Sequence, residues 1–314
     1  MITEIEKPIV RIKIAGVGGG GTNAVARMLA AEIPTVTYVT INTDDAGVRA
    51  ADAQTKLQIG KMETRGRGAG ADPAKGLRAA EENRAEIEES LKDCDMLFIT
   101  AGMSGGTGTG AAPIVAEIAR KLGVLTVAVV TKPFAFEGKK RMDTALDGIA
   151  KLEESVDSLV VIPNENLKHA STARLTLANA FAMADDVLMQ TVKNLVEVIQ
   201  NTGYINCDFA DIQSVIRNSG HMHTASGQAA GDARTDKILA QIGQSALLDS
   251  SVDGADGVML CIIAAPDAGL DEIDHLVAGV TDRAAPGANV IFGMRFDESM
   301  GEELKAVLIS TKKA

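Results

Sequence analysis

An α/β fold built on a mostly parallel, Rossmann-type sheet is what this chain predicts, on three observations. Apolar strand signals recur at residues 9–15, 35–41, 96–100, 125–131 and 158–162, with helical stretches between them. That alternation marks parallel strands joined by helices that cover both faces of a sheet. Glycine-rich or polar loops follow the strands, at the carboxyl ends where such sheets hold ligands. A long amphipathic segment, 175–200, carries Phe181, Leu188, Val192, Leu195 and Ile199 at helical spacing, and further strand and helix signals follow it. The predicted division is a parallel-sheet domain at 9–174, a central helix at 175–202, and a smaller α/β domain with a mixed sheet at 203–314.

The first strand leads into Gly16-Val17-Gly18-Gly19-Gly20-Gly21 and a helix at 22–31. Gly16, Gly18 and Gly21 fit G-x-G-x-x-G, and Asp44 closes the next strand near the place of a ribose-binding acid. Residues 9–50 alone therefore favour a dinucleotide oxidoreductase. A glycine-rich stretch at 64–72 follows, then a helix at 73–91, with Asp72 as its cap and Pro73 at its first position. The charged run 81–89 reads as the wet face of that helix. The strand at 96–100 opens into Gly102-Met103-Ser104-Gly105-Gly106-Thr107-Gly108-Thr109-Gly110, five of whose nine residues are glycine, and a helix at 111–121. Such a loop brings backbone N–H groups close to an anion, and a helix N-terminus adds a favourable dipole. Two such loops suggest a nucleotide whose phosphates are gripped from two sides. A single dinucleotide fold needs neither the 64–72 stretch nor the 102–110 run. The absence of a Gly-Lys-Ser/Thr sequence removes the P-loop class.

Phe181 and Asp185, four apart on the central helix, share a face. They suit a base-stacking ring beside an acceptor for the base's edge, and spacing alone favours a core Phe beside a surface Asp. Asp208 and Asp211 straddle a Phe and an Ala ahead of a helix at 212–217, and read first as a capping pair. Residues 220–236 are rich in Gly, Ala, His and Thr and predict a weak strand or a mobile region. Strands are expected at 257–264, 289–296 and 304–311, and a helix at 270–284.

Composition narrows the function. The 314 residues are 46% apolar, with no Trp and two Tyr, so aromatic stacking surfaces are scarce. The net charge of -11 argues against broad attraction to nucleic acid or anionic lipid, while a local anion site made of backbone amides remains compatible with it. Cys94, Cys207 and Cys261 lack metal-ligand spacing and read as reduced, mostly packed residues. The four histidines form no catalytic cluster, and His221 and His223 read as a solvated loop or sheet face. Residues 1–8 are too polar for a secretory signal, and no segment approaches the ~20 apolar residues of a membrane span.

Taken together these stretches resemble the tubulin/FtsZ GTPase family, on its bacterial cell-division side, over about residues 9–311. Ser104 to Gly110 is similar to the family's glycine signature, and residues 16–25, 42–44, 64–73, 131–142, 162–164 and 206–211 match it closely. The resemblance implies a tubulin-like fold and a GTP/GDP pocket. Gly18, Gly19, Gly20 and Asn23 would line the first loop, with Asn23 reaching the guanine. Asp44 is counted in the pocket, and Ala69, Gly70 and Ala71 approach the γ-phosphate. Gly102, Ser104, Gly105, Gly106, Thr107, Gly108 and Thr109 belong to the loop around the α- and β-phosphates. Glu137 and Arg141 match ribose and phosphate contacts, and Asn164 a sugar and base contact. Phe181 would stack on guanine, while Asp185 accepts its N1 and N2 protons and so rejects adenine.

The resemblance further implies that Asn206, Asp208 and Asp211 of one subunit act on the GTP of the next, orienting water and binding a cation. Mg²⁺ is expected on the phosphates, with K⁺ as a further candidate cation. The partner is the chain itself, in a head-to-tail filament. Division or filament-associated proteins are the other partners in view; nucleic acid and direct membrane binding are not expected. The implied location is cytoplasmic, at midcell. A specialised filament paralogue, a non-hydrolysing structural filament and a dinucleotide oxidoreductase are the alternatives. Departures from the family pattern are Ser104 for Gly, Arg67 for Leu, Asp72 for Asn, and His221 to Gly227, whose small polar residues are expected to weaken a strand. Family members usually continue into a linker and a short tether peptide, so an ending at Lys312-Lys313-Ala314 suggests a trimmed chain or a tail-less paralogue.

Overall fold

The computed structural model describes residues 10–170, 176–200, 203–205, 207–243, 251–266 and 268–313. In chain order the first half runs β1 (Ile12–Val17), α1 (Gly18–Ala30), β2 (Val36–Asn42), α2 (Asp45–Ala50), β3 (Thr55–Gln58), α3 (Lys61–Thr64), α4 (Pro73–Glu82) and α5 (Arg84–Leu91). It continues with β4 (Met96–Gly102), α6 (Gly106–Lys121), β5 (Leu125–Lys132), α7 (Lys139–Glu153), β6 (Ser158–Pro163) and α8 (Leu167–Ala170). The long helix α9 (Leu177–Ile199) leads to α10 (Phe209–Ile216), β7 (Gly220–Ala230), α11 (Arg234–Gly243), β8 (Gly257–Ala264), α12 (Leu270–Thr281), β9 (Asn289–Phe296) and β10 (Glu303–Lys312).

All ten strands join one sheet, in the order β3-β2-β1-β4-β5-β6-β7-β10-β8-β9. Strands β1 to β6 are parallel, as the alternation of strand and helix predicts. The second half contributes antiparallel pairs of β10 with β7 and β8, and a parallel pair of β8 with β9, giving the expected mixed sheet. The halves meet through two residue pairs, Ser158 with Gly220 and Leu159 with His221. β4, β5 and β6 are near-continuous buried apolar runs, because helices cover both faces of a parallel sheet. On one face, α4, α5, α6 and α7 bury Ala79, Ile87, Val115 and Ile149 against Ile99 and Val130. On the other, Leu188, Val192, Leu195 and Ile199 of α9 share a core with Ile14 and Phe98 of the first half and Met222, Met259 and Val307 of the second.

Three expectations change. The glycine loops are largely helix: α1 starts at Gly18 and α6 at Gly106, so the glycines form their first turns. The helix over 73–91 is two, broken at Asn83, whose side chain accepts from Gly60 N–H at 2.7 Å. The stretch expected to be weak or mobile holds β7, an 11-residue strand paired with β10 at ten positions. Small side chains serve it, because α11 lies so close that a Cβ on Gly227 would meet the Ile238 carbonyl oxygen at 2.9 Å.

Candidate functional site

The sheet's switch point lies between β1 and β4, where the strand order turns outward on both sides. Gly16 is level with Thr100 and Val17 with Ala101, so α1 and α6 begin side by side at the carboxyl edge. Ligands of open α/β sheets bind in this crevice. Neither helix has a side-chain cap or an acidic residue in its first turn. Their neighbours do: Asp44 accepts from Gly47 N–H at 3.1 Å to cap α2, and Asp72 accepts from Ala74 N–H at 2.9 Å to cap α4. Two uncapped helix ends thus aim orphan N–H groups and positive dipole ends at one crevice, which suits a polyphosphate.

The glycines divide by task. A Cβ on Gly18, whose φ is +73°, would stand 2.7 Å from Gly108 N, so this residue lets the helix starts meet. Gly76 on α4 comes close enough to α6 that its Cβ would stand 2.2 Å from the Gly106 carbonyl oxygen. A Cβ on Gly19 would meet nothing within 4 Å, and one on Gly20 would stand 3.2 Å from Gly102 N. Thr107 shares a 2.6 Å hydrogen bond with buried Thr43, and Thr109 Oγ1 accepts from Ser104 N–H at 2.9 Å. These hydroxyls hold the loop; its Met103 and Ser104 N–H groups are taken, while those of the first turn of α6 have no intrahelical acceptor and are left for phosphate. Gly70 and Ala71 are successive left-handed residues (φ +61° and +58°) on an exposed turn beside α6, and Ala69 is buried beneath them.

The base and sugar candidates converge at the start of α9. Phe181 is 45% exposed and stands edge-on to Phe134 and Phe136, at centroid distances of 5.6 and 6.4 Å. Asp185 keeps 19% of its side-chain exposure and lies 3.8 Å from Arg27 Nε on α1. The surface and core assignments favoured by spacing are reversed: the ring is displayed and the carboxylate is withdrawn. Burial pushes the Asp185 carboxyl up to about 6, against the pull of Arg27 and with help from Asp186. Asn23 is exposed one turn before Arg27 on α1. Asn164, at the end of β6, is buried, and its side-chain oxygen has no hydrogen-bond partner. A buried orphan acceptor beside an open crevice fits a sugar or base donor. Glu137 accepts from Phe134 N–H at 2.9 Å and pairs with Arg141, at the start of α7. Arg27, Phe134 and Phe136 were missing from the sequence-derived site; the last two lie inside the family-like stretch 131–142.

Asp208 and Asp211 are not brought to this pocket. Each accepts from the other's N–H, at 2.8 and 3.0 Å, forming a capping box at the start of α10. They follow the far end of α9, and the 15 residues from Asp185 to Ile199 alone span about 21 Å of helix. Asn206 lies outside the described residues. Among the described residues no group of three or more His, Cys, Asp or Glu could hold a metal. His221 is exposed and 3.1 Å from Glu153, whereas His223 is buried, against expectation. The three cysteines form no disulfide, and burial pushes the Cys94 and Cys207 thiols up to about 11. No helix among the described residues is long and apolar enough to cross a membrane.

Comparison with known proteins agrees with this geometry. Residues 11–172 match the GTPase domain of the tubulin/FtsZ family, and residues 220–313 match the FtsZ family C-terminal domain. An empty FtsZ dimer from M. jannaschii superposes with a TM-score of 0.87 and 42% identity, over 96% of this chain and 88% of that one. A tryptophan-to-tyrosine mutant of the same FtsZ gives 0.88 and 41%, over 97% and 91%. The GTPγS-bound protofilament of CetZ2 from Haloferax volcanii gives 0.81 at 17% identity, over 97% and 94%, which is likeness of fold. With two uncapped helix ends at the switch point, Phe181 and Asp185 together at the head of α9 and matches spanning both halves, the chain belongs to the tubulin/FtsZ GTPase family.

Proposed function

We propose that this chain is a GTP-hydrolysing filament subunit of the FtsZ type, acting in cell division, whose active site forms between successive subunits. The carrying observation is the separation of its two chemical halves: a phosphate and base pocket at the head of α9, and the Asp208–Asp211 pair beyond its tail. Among the described residues, the carboxylates beside the phosphate-facing amides, Asp44 and Asp72, are engaged as helix caps. A head-to-tail contact brings the α10 end of one subunit onto the pocket of the next, and such a contact extends instead of closing.

In this reading the N–H groups of Gly19, Gly20 and the 105–108 turn hold the phosphates. Ala69, Gly70 and Ala71 frame the terminal phosphate, Asn164 receives the ribose or base, and Phe181 lies on the guanine. Glu137 and Arg141 border the sugar, while Asn23 approaches the base from α1. Asp185, ionised at neutral pH, accepts the guanine N1–H and N2–H pair, whereas adenine would turn its own N1 acceptor toward it. Asp44 stays a helix cap near the pocket. Asp208 and Asp211 orient the attacking water on the neighbour's GTP, with Asn206 beside them. Mg²⁺, when bound, neutralises phosphate charge; the phosphates hold it, with help from the neighbour's aspartates, and K⁺ is a candidate second cation. The working division is 9–174, 175–202 and 203–314, and the working location is the cytoplasm at midcell.

Phosphate release tests the reading. Release should occur with GTP, not ATP, and turnover per subunit should rise with protein concentration through assembly. NADH binding in place of GTP would overturn it, and GTP-dependent filaments without phosphate release would leave a structural filament.

A further inference from the structure

Two of the three cysteines meet on one face of the second half's sheet. Cys261 on β8 is 3% exposed and packs in the core shared with α9. It is level with Gly293 on the parallel neighbour β9. Level residues on adjacent strands send their side chains to the same face, ~4.8 Å apart. Gly293 has no side chain, and the Cys207 thiol takes the place of one: a Cβ built on Gly293 would stand 2.9 Å from Cys207 Sγ. The two sulfurs therefore lie side by side, about one strand spacing apart. The electrostatics agree, since the Cys261 thiol is the second cause, after burial, that pushes the Cys207 thiol up to about 11.

The pair is asymmetric. Cys261 is fixed within β8, between β10 and β9. Cys207 is half-buried, outside helix and strand, directly before Asp208, the N-cap of α10. Two residues earlier the chain is tied to β9, where Ile205 exchanges hydrogen bonds of 3.1 and 2.9 Å with Met294. Tyr204 beside it is 80% exposed. Cys207 is thus the thiol that solvent reaches, and Cys261 the one that Cys207 reaches. Cys94 stands apart in the first half, buried, donating to the Met96 carbonyl oxygen at 2.9 Å.

We propose that Cys207 and Cys261 are a reversible disulfide site, closed by exchange with a low-molecular-weight disulfide. The Cys207 sulfur, on losing its proton, attacks one sulfur of that disulfide; its S–S bond breaks, and the released thiolate takes up a proton. The Cys261 sulfur, losing its proton in turn, attacks the Cys207 sulfur of the mixed disulfide and expels the second thiolate, which is protonated. Two protein thiols give up two electrons, and one small disulfide is reduced to two thiols. The thiolate is the attacking form and burial disfavours it, so exchange is slow, on the scale of minutes to hours. The new S–S bond closes to ~2.05 Å, inside the contact distance of two thiols. Cys261 is held by the sheet, so Cys207 moves, and Asp208 with the α10 cap moves too. This consequence rests on the reading that Asp208 and Asp211 serve the neighbour's GTP: the oxidised subunit holds them out of place. The site is then a brake on turnover that leaves the nucleotide pocket, at the other end of α9, untouched.

The test incubates the full GDP-loaded chain, below its assembly concentration, with oxidised glutathione. Intact mass should fall by two hydrogens, and peptide mapping should join Cys207 to Cys261 with Cys94 unmodified. Phosphate release under assembly conditions should then drop at least about tenfold, since a 1 Å misplacement can cost ~100-fold. GDP affinity should be unchanged, and dithiothreitol should restore turnover. C261A should release phosphate as fast as the reduced wild type and, under oxidised glutathione, collect one glutathione adduct at Cys207. C207S should collect none at Cys261. Three thiols that survive oxidised glutathione, or a link between other cysteines, would overturn the proposal. So would a linked chain that hydrolyses GTP at the reduced rate. A reduced chain that releases no phosphate while the link still forms would sink the catalytic reading and leave the disulfide site standing.

Discussion

Ser104 holds a conformation that suits glycine: its φ is +111° and it is buried at the start of the phosphate loop. A non-glycine residue there stores strain of about 1–3 kcal/mol. Ser104→Gly should therefore stabilise the GDP-bound protein by about 1 kcal/mol, read from the denaturant midpoint at unchanged slope. Asp185 makes a different prediction through its raised carboxyl, near 6 against an ordinary value of 3.8. The folded nucleotide-free chain binds more protons than the unfolded chain between those values, so this group's stabilising contribution is full below pH 4 and is lost as pH rises through 6. Asp185→Asn should flatten that part of the stability profile. Guanine recognition runs the opposite way, since a protonated carboxyl is a poorer acceptor for two N–H groups. GDP affinity should fall as pH drops below 6 in the wild type and stay flat, and weaker, in Asp185→Asn. Much of this site is legible in residue types and spacing, because glycines at strand ends and a Phe and an Asp four apart each have a local signature. Arg27 is not, since it meets Asp185 and Asp186 from more than 150 residues away, and only the packing of α1 on α9 joins them.

At the scale of elements, strands read most clearly. β8 and β9 have the predicted bounds, and β4 to β6 differ by a residue or two at their carboxyl ends, since buried apolar runs have few other fates. Helix starts read poorly where glycine fills them. Local propensity places glycine outside a helix, yet α1 and α6 begin in glycine because backbones of neighbouring elements must touch there. β7 is the same lesson in a strand, as its small residues leave room for α11. The α4–α6 crossing carries the sharper prediction. Gly76→Ala sets a methyl 2.2 Å from the Gly106 carbonyl oxygen, so α4 or the first turn of α6 must move. The expected result is a loss of about 1–3 kcal/mol in urea unfolding and weaker GDP binding. Gly19→Ala is the counterpart. Its methyl meets nothing within 4 Å, and alanine favours the helix by up to about 1 kcal/mol. Stability should hold or rise while GDP affinity falls, because the methyl occupies the open crevice. Equal GDP affinity for Gly19→Ala and wild type would move the phosphates away from α1.

On the scale of the whole molecule, α9 is the part that both halves share. Its apolar stripe packs into the parallel sheet and onto β7, β8 and β10 in one continuous core, so its head and tail cannot move independently without opening that core. The pocket sits at the head and the Asp208–Asp211 pair beyond the tail, which makes separate damage and mutual rescue the strongest test of a shared site. Asp211→Asn keeps an acceptor for the Asp208 N–H, so the α10 cap survives at a cost under about 1 kcal/mol. GDP affinity of the lone subunit should be unchanged, while turnover falls by roughly 100-fold or more, the scale of a lost electrostatic contact to a transition state. Filaments of this variant should persist, since their GTP is no longer consumed. Asp185→Asn should weaken guanine binding first and leave Asp211 intact. Mixed above the wild-type assembly concentration, Asp185→Asn subunits offer an intact aspartate pair to the intact pockets of Asp211→Asn subunits. Phosphate release per subunit should then exceed that of either variant alone and fall away on dilution. Wild-type turnover by Asp211→Asn, or turnover independent of concentration across assembly, would place the chemistry within a single chain and end the shared-site account.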